Sequence, residues 1–106
     1  MRVTITARHT PVPDALKELL ESKVLKLEHF GHKLMSVHAI LDRQKYHYSA
    51  ELTLFARGFT LVGKSKGDGD LLTCVEEALM KLKHQLQRRD AKRVEESRRR
   101  VPHRPA

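Results

Sequence analysis

The chain reads as an α+β protein, a two-layer sandwich in which a four-stranded sheet carries two helices on one face. Three observations predict it. Four stretches alternate apolar and polar residues with the period of a strand. Two longer stretches space their apolar residues by threes and fours, as an amphipathic helix does. The order of the six is β-α-β-β-β-α, with short links between the last three strands and a helix-long link between the first two. Each strand then has one apolar face and each helix one apolar stripe, and a two-layer packing buries all of them together. The other sheet face is left to water.

Residues 2–8, RVTITAR, form the first strand, with Val3, Ile5 and Ala7 on one side. Thr-Pro-Val-Pro breaks it. Pro13 sits near the first helical position and Asp14 in the first turn, where a negative charge meets the positive end of the helix dipole. The spacing of Leu16, Leu20, Leu27 and Phe30 predicts a helix over 13–30, with Gly31 as its C-terminal cap. Such a helix carries a crossover between parallel strands. Residues 34–43 form a second strand with Val37, Ala39 and Leu41 facing one way. After the polar link Gln44-Lys45, residues 46–57 alternate Tyr48, Ala50, Leu52, Leu54 and Ala56 against polar neighbours. Gly58 marks a tight turn and residues 59–66 form a fourth strand. The Gly-containing loop from Lys66 ends at Asp70, a residue suited to cap a helix. In that helix Leu72, Val75, Leu79, Leu82 and Leu86 lie on one stripe. With Val3, Ile5 and the first-helix set, they are the expected core.

The 106 residues make one domain, 1–93, followed by a basic tail, 94–106, in which apolar periodicity has stopped and arginine and proline predominate. Such a composition is expected to be disordered. The net charge of +8 and a pI near 10.0 call for an acidic partner: nucleic acid, an anionic membrane surface or an acidic protein. Aromatics at 5% and the absence of Trp argue against a stacking platform for single strands. The opening MRVTITARHT has no apolar h-region, and no run approaches the ~18 apolar residues that span a bilayer. A cytoplasmic protein without a membrane partner is the expectation.

Catalytic chemistry finds no foothold. His29-x-x-His32 is the one close histidine pair, but it straddles the helix end and lacks the further ligands of a tetrahedral site, so no metal is expected. Cys74, the single cysteine, lies beside the apolar stripe and reads as a buried, inert thiol. Asp14, Glu18, Glu21 and Glu28 look like a solvated helix face. The stretch from Lys66 to Asp70 lacks the lysine and hydroxyl residue of a phosphate-binding loop. The cations are different. Lys81, His84, Arg88 and Lys92 fall roughly opposite the last helix's apolar stripe, and Lys83 and Arg89 flank it. Asp70, Glu76 and Glu77 precede them, as the helix dipole prefers. That preference accounts for a few cations in one turn, not for a basic face several turns long. Such a row suits a phosphate backbone.

The residues also carry a resemblance. V-T-I-T-A-R-H at the start, D-A-L at the first helix and K-x-x-K-L-E-x-F from Lys23 to Phe30 occur in order. His47 with the following A-E-L, and D-x-x-x-x-V-E-x-x-x-x-K-L-x-x-Q-L from Asp70 to Leu86, complete the set. Over residues 1 to about 93 the chain resembles the short ribosome hibernation promoting factors, the group that includes protein Y, the ribosome-associated inhibitor. The resemblance implies a β-α-β-β-β-α fold similar to the double-stranded-RNA-binding domain. It also implies a non-enzymatic factor, without cofactor, that binds the 16S-type rRNA of the small ribosomal subunit. Such a factor occupies the mRNA and tRNA channel near the A and P sites and inhibits translation in stationary phase or stress.

The family's basic positions carry over onto Lys23 and Lys26 of the first helix, onto Lys81, Lys83, Arg88, Arg89 and Lys92 of the last, and onto Arg8. Two features depart from the family: Asp70-Leu71-Leu72 stands where members often have Asp-Met-Tyr, and the arginine-rich tail is not shared. The resemblance is to the short type, which is expected to be without the additional domain by which long members pair ribosomes and to be a monomer when alone. The resemblance leaves open whether ribosome dimers are among its partners. The alternatives are a protein binding free double-stranded RNA and a regulator binding an acidic protein.

Overall fold

The computed structural model describes residues 2–30 and 33–100, with side chains except at 29, 30 and 90–100. Strands β1 (Arg2–Arg8), β2 (Leu34–Gln44), β3 (His47–Ala56) and β4 (Phe59–Gly67) form one sheet in the order β1-β2-β3-β4. β1 runs parallel to β2 with Val3 opposite Val37 and Ile5 opposite Ala39. The other pairs are antiparallel. Helices α1 (Asp14–Lys26) and α2 (Leu71–Arg100) complete the β-α-β-β-β-α order, and both pack on one sheet face, as the sequence predicts. Near its start β2 takes one extra residue, Met35, between the pairs Leu34–Ala56 and Ser36–Phe55.

Both hairpins turn in two residues, and positive φ angles at Lys45 (55°) and Gly58 (91°) allow it. Pro13 supplies the carbonyl to which the N–H groups of Leu16 and Lys17 donate as α1 begins. The regular helix ends at Lys26, and Leu27–Phe30 tighten into a 3-10 turn. The predicted helix over 13–30 is therefore two elements, the usual tightening of a last turn. The Gly31 cap and the Phe30 core position lie outside the described residues and side chains. For α2 the expected cap is present: Asp70 Oδ1 accepts from the Thr73 N–H at 2.7 Å.

The core joins Leu16, Leu20, Val24 and Leu27 to the inward residues of β2 and β3 and to α2, with Val3 and Ile5 packed at its margin. On α2 the buried set is Leu71, Cys74, Val75, Ala78, Leu79, Leu82 and Leu86, and Leu72 is 40% exposed. The expected stripe is thus one step out of phase at its first member. The reason is close approach. A Cβ on Gly63 of β4 would overlap the Ala78 carbonyl oxygen and lie 3.1 Å from Leu82 Cγ. The helix rests on the sheet through small residues, Cys74 and Ala78, and this rotation turns Leu72 outward. The backbone stays helical to Arg100, so the tail predicted from residue 94 begins as helix, and residues 101–106 lie outside the described residues.

Leu82→Ala should therefore cost about 2–5 kcal/mol, whereas Leu72→Ala should change stability by less than about 0.5 kcal/mol. Gly63→Ala should destabilise by about 1–3 kcal/mol, because the helix must lift. Urea denaturation of the three variants checks the set, and equal losses at Leu72 and Leu82 would mean a different helix face. The cap also makes stability depend on pH. The Thr73 N–H, with its hydroxyl, holds the Asp70 carboxyl below its usual range. A depressed folded-state value contributes stability above the ordinary carboxylate pKa and loses it as pH falls through the folded value. Asp70→Ala should thus lie furthest below wild type near neutrality and converge on it as pH falls through and below the ordinary carboxylate range.

Candidate nucleic-acid interface

Side by side on the sheet, α1 and α2 leave a groove between the end of α1 and the middle of α2, about 590 Å³ in volume. Burial of Leu20, Val24 and Leu27 points α1 at the sheet and fixes Lys23 and Lys26, one turn apart, along its inner rim. On the opposite wall Leu79 is buried and Lys83, one turn later, stands at the lip with His84. Leu27 and Leu79 form the floor, and Met80 is 57% exposed beside it. Glu76 faces Lys23 across the groove, with Lys23 Nζ 3.9 Å from Glu76 Oε1. The structure thus brings Lys23, Lys26 and Lys83 together around one concavity. Three ammonium groups held there attract an anion without the ordering cost of a flexible segment.

The other flank of α2 lies along β4. Lys81 Nζ donates to the Lys64 carbonyl at 2.5 Å, and one turn on, Gln85 Nε2 donates to the Val62 carbonyl at 2.7 Å. These two carbonyls belong to the outer edge of the sheet, so the pair covers an edge strand. Lys81 therefore sits beside β4 rather than squarely opposite the apolar stripe. Arg88, two turns further, follows the same flank and is exposed. Arg89 turns back toward the sheet, its guanidinium 3.8 Å above the centre of the Phe59 ring. Lys92 is on the described helix backbone, but its side chain lies outside the described set. Arg8 is apart from all of these. It ends β1 opposite Asp42, on the sheet face away from the helices.

At that end of the sheet the His9 ring makes a 3.1 Å hydrogen bond to Asp42 Oδ1, and His47 is paired with Asp68. The His9 bond, then the Arg43 N–H, hold the Asp42 carboxyl low, with the His9 and Arg8 charges adding to them. Among the described residues no group of three or more His, Cys, Asp and Glu is placed to hold a metal ion, and no helix is long and apolar enough to cross a membrane. The groove's Glu76 and Met80 carried no sequence signal of function. The off-stripe position of Met80, at i−3 from Lys83, is the feature that could have marked the wall.

The family model described as Sigma 54 modulation protein / S30EA ribosomal protein matches residues 3–94. The chain belongs to this family. It is 28% identical over 95 residues to the ribosome hibernation promoting factor of Azotobacter vinelandii, spanning 90% of this chain and 88% of that protein. Against the ribosome hibernation promoting factor of Escherichia coli K12 it is 26% identical over 86 residues, 81% of this chain and 90% of the other. The fold matches a ribosomal subunit interface protein of Coxiella burnetii with a TM-score of 0.77 at 23% identity, covering 86% of this chain and 99% of that one. It matches the N-terminal domain of Thermus thermophilus protein Y with a TM-score of 0.75 at 20% identity, over 83% and 98% of the two chains. These matches agree with the family resemblance carried by the sequence motifs and with the α+β sandwich.

Cys74 is buried, as the sequence predicts. Burial, and then the Glu77 carboxylate, push the Cys74 thiol up, and its Sγ donates to the Tyr48 carbonyl at 3.4 Å. A thiol so placed is mostly protonated at neutral pH and shielded from reagents. Alkylation by iodoacetamide should be slow in the folded protein and rapid in urea, and mass spectrometry of quenched samples reads the difference. Fast labelling of the folded chain would contradict this packing.

Proposed function

We propose that this chain is a ribosome hibernation factor, a non-enzymatic protein that binds the small ribosomal subunit and silences translation. The observation that carries the reading is the groove: Lys23, Lys26 and Lys83 converge from two helices in a member of a ribosomal protein family. Several ammonium groups held on a packed scaffold meet rRNA phosphates and displace counterions. Recognition is chiefly of backbone and shape, the usual mode for folded RNA. Arg88 extends the contact along α2. Lys81, Arg89 and Lys92 supply charge nearby, the first two while also holding the helix to β4. Arg8 serves a separate, peripheral contact on the far sheet face. Residues 1–93 act as the binding unit and 94–106 as a basic extension.

The site of action is the mRNA and tRNA channel near the A and P sites, where an occupant excludes both ligands by mass action. The setting is the cytoplasm in stationary phase or stress, and the unbound protein is a monomer without a cofactor. Support comes from the chain's likeness to proteins named ribosome hibernation promoting factors and from its net charge of +8.

The test is binding to purified small subunits, with sucrose-gradient co-sedimentation of stationary-phase extracts beside it. If about five phosphates are neutralised, log K should fall with log salt at a slope of about −4. Lys26, Lys83 and Arg88 changed together to Glu should nearly abolish binding with an unchanged circular dichroism spectrum. Removing residues 95–106 should weaken it by about 1–2 kcal/mol, the loss of long-range attraction. Tighter binding to naked duplex RNA than to small subunits would instead favour a free double-stranded-RNA binder. A truncation more damaging than the triple reversal would move the anchor to the tail.

A further inference from the structure

The groove between α1 and α2 has more than a phosphate needs. Cations on an open surface suffice to hold a phosphate oxygen. They require no concavity and no apolar floor, and a carboxylate among them repels the ligand. This groove has all three. Its volume of about 590 Å³ falls in the range of small-molecule sites. Leu27 and Leu79 line its bottom, Met80 stands 57% exposed at its side, and Glu76 projects into the cation cluster.

We propose that the groove seats one unstacked nucleotide of single-stranded RNA, with its base on the Met80–Leu79 wall, an exocyclic amine on Glu76 and its flanking phosphates on Lys23, Lys26 and Lys83. The inference rests on the ribosomal-RNA reading above and adds base discrimination to the same site. A thioether packs well against an aromatic ring and adapts to its shape. That gives the base an apolar seat in a chain with few aromatic side chains. A carboxylate only accepts hydrogen bonds, so it favours the amino groups of cytosine and adenine and opposes the O4 of uracil. Lys23 links the two halves of the site. It now lies 3.9 Å from Glu76 Oε1, and a phosphate arriving at Lys23 draws the ammonium away and leaves the carboxylate to the base.

Fluorescence anisotropy with labelled oligocytidine, oligoadenosine and oligouridine of equal length, at one salt concentration, tests this directly. Cytidine and adenosine strands should bind about tenfold more tightly than uridine, as one charge-assisted hydrogen bond would give. Glu76→Gln should collapse that preference to about twofold while strengthening oligouridine binding, because the repulsion of phosphate goes with the charge. A merely structural Glu76 would not separate these two effects. Met80→Ala, at an exposed position, should weaken all single strands and leave an RNA duplex unaffected.

Equal binding of the three oligomers, an undiminished preference in Glu76→Gln, or tighter binding of a leucine-containing polyglutamate peptide would each overturn the proposal. Small-subunit binding by the same wild-type protein keeps the two readings apart. Co-sedimentation without base preference removes only the nucleotide seat, and base preference without co-sedimentation removes only the ribosomal role.

Discussion

The placement of the α2 cations depends on how closely that helix can lie on the sheet, and Gly63 sets the distance. Where the Gly63 hydrogen is, any side chain would strike the Ala78 carbonyl. At this separation Leu82 and Leu86 become fully buried, and Glu77 reaches the buried Ser65 hydroxyl, which donates to it at 2.6 Å. The same separation lets Lys81 and Gln85 reach carbonyls on the outer edge of β4. Lifting the helix by a methyl group would loosen every one of these contacts together, because the interior has no slack to absorb the shift. It would also open the groove, whose far wall is the same helix.

A chain of net charge +8 must keep its cations apart from one another while keeping them useful. The structure does so by dividing α2 lengthwise. One flank sends Lys81 to a β4 carbonyl, the other sends Lys83 to the groove, and Arg89 lies over an aromatic ring. Lys81 is near a carbonyl dipole, Lys23 near a carboxylate and Arg89 over a π face, so self-repulsion is reduced without neutralising the surface. The two glutamates in the first half of the helix divide in the same way, Glu77 toward Ser65 of β4 and Glu76 toward Lys23 of α1. Glu77 thus ties the helix to the sheet, and Glu76 ties it to its neighbour.

Strand periodicity made the sheet legible from the amino-acid sequence, because period-2 alternation leaves no ambiguity of face once one face is buried. Val37, Ala39 and Leu41 against Ala50, Leu52 and Leu54 are such a case. Helix α2 was legible as a helix but not in its phase. The expected set 72/75/79/82/86 and the buried set 71/74/75/78/79/82/86 share four leucine or valine positions, and they part at Leu71 against Leu72 and at the small residues Cys74 and Ala78. Cys74 and Ala78 count little by hydrophobicity yet are buried, because their size lets the helix approach Gly63. The cations show the matching limit. An angular position tells that Lys81 and Lys83 are about 200° apart. It does not tell which of them looks toward α1, since that depends on which side of the helix the crossover places its neighbour.

The continuation of α2 to Arg100 changes what the basic end of the chain can contribute. Leu86 is the last buried residue of the helix, and the backbone from there to Arg100 rises by about 21 Å. Positions 89, 93, 96 and 100 repeat at threes and fours on the face that Val75, Leu82 and Leu86 occupy earlier. Three of those four positions are Arg, with Glu96 the exception. One helical face is therefore apolar where the sheet covers it and basic where the sheet ends. A coil of the same composition would have to lose backbone freedom for each contact with a polyanion, at about 1–2 kcal/mol per residue fixed. A helix that already joins the folded domain has lost that backbone freedom. Backbone ordering is then a smaller part of the cost when a polyanion meets this end of α2 than it would be for a coil.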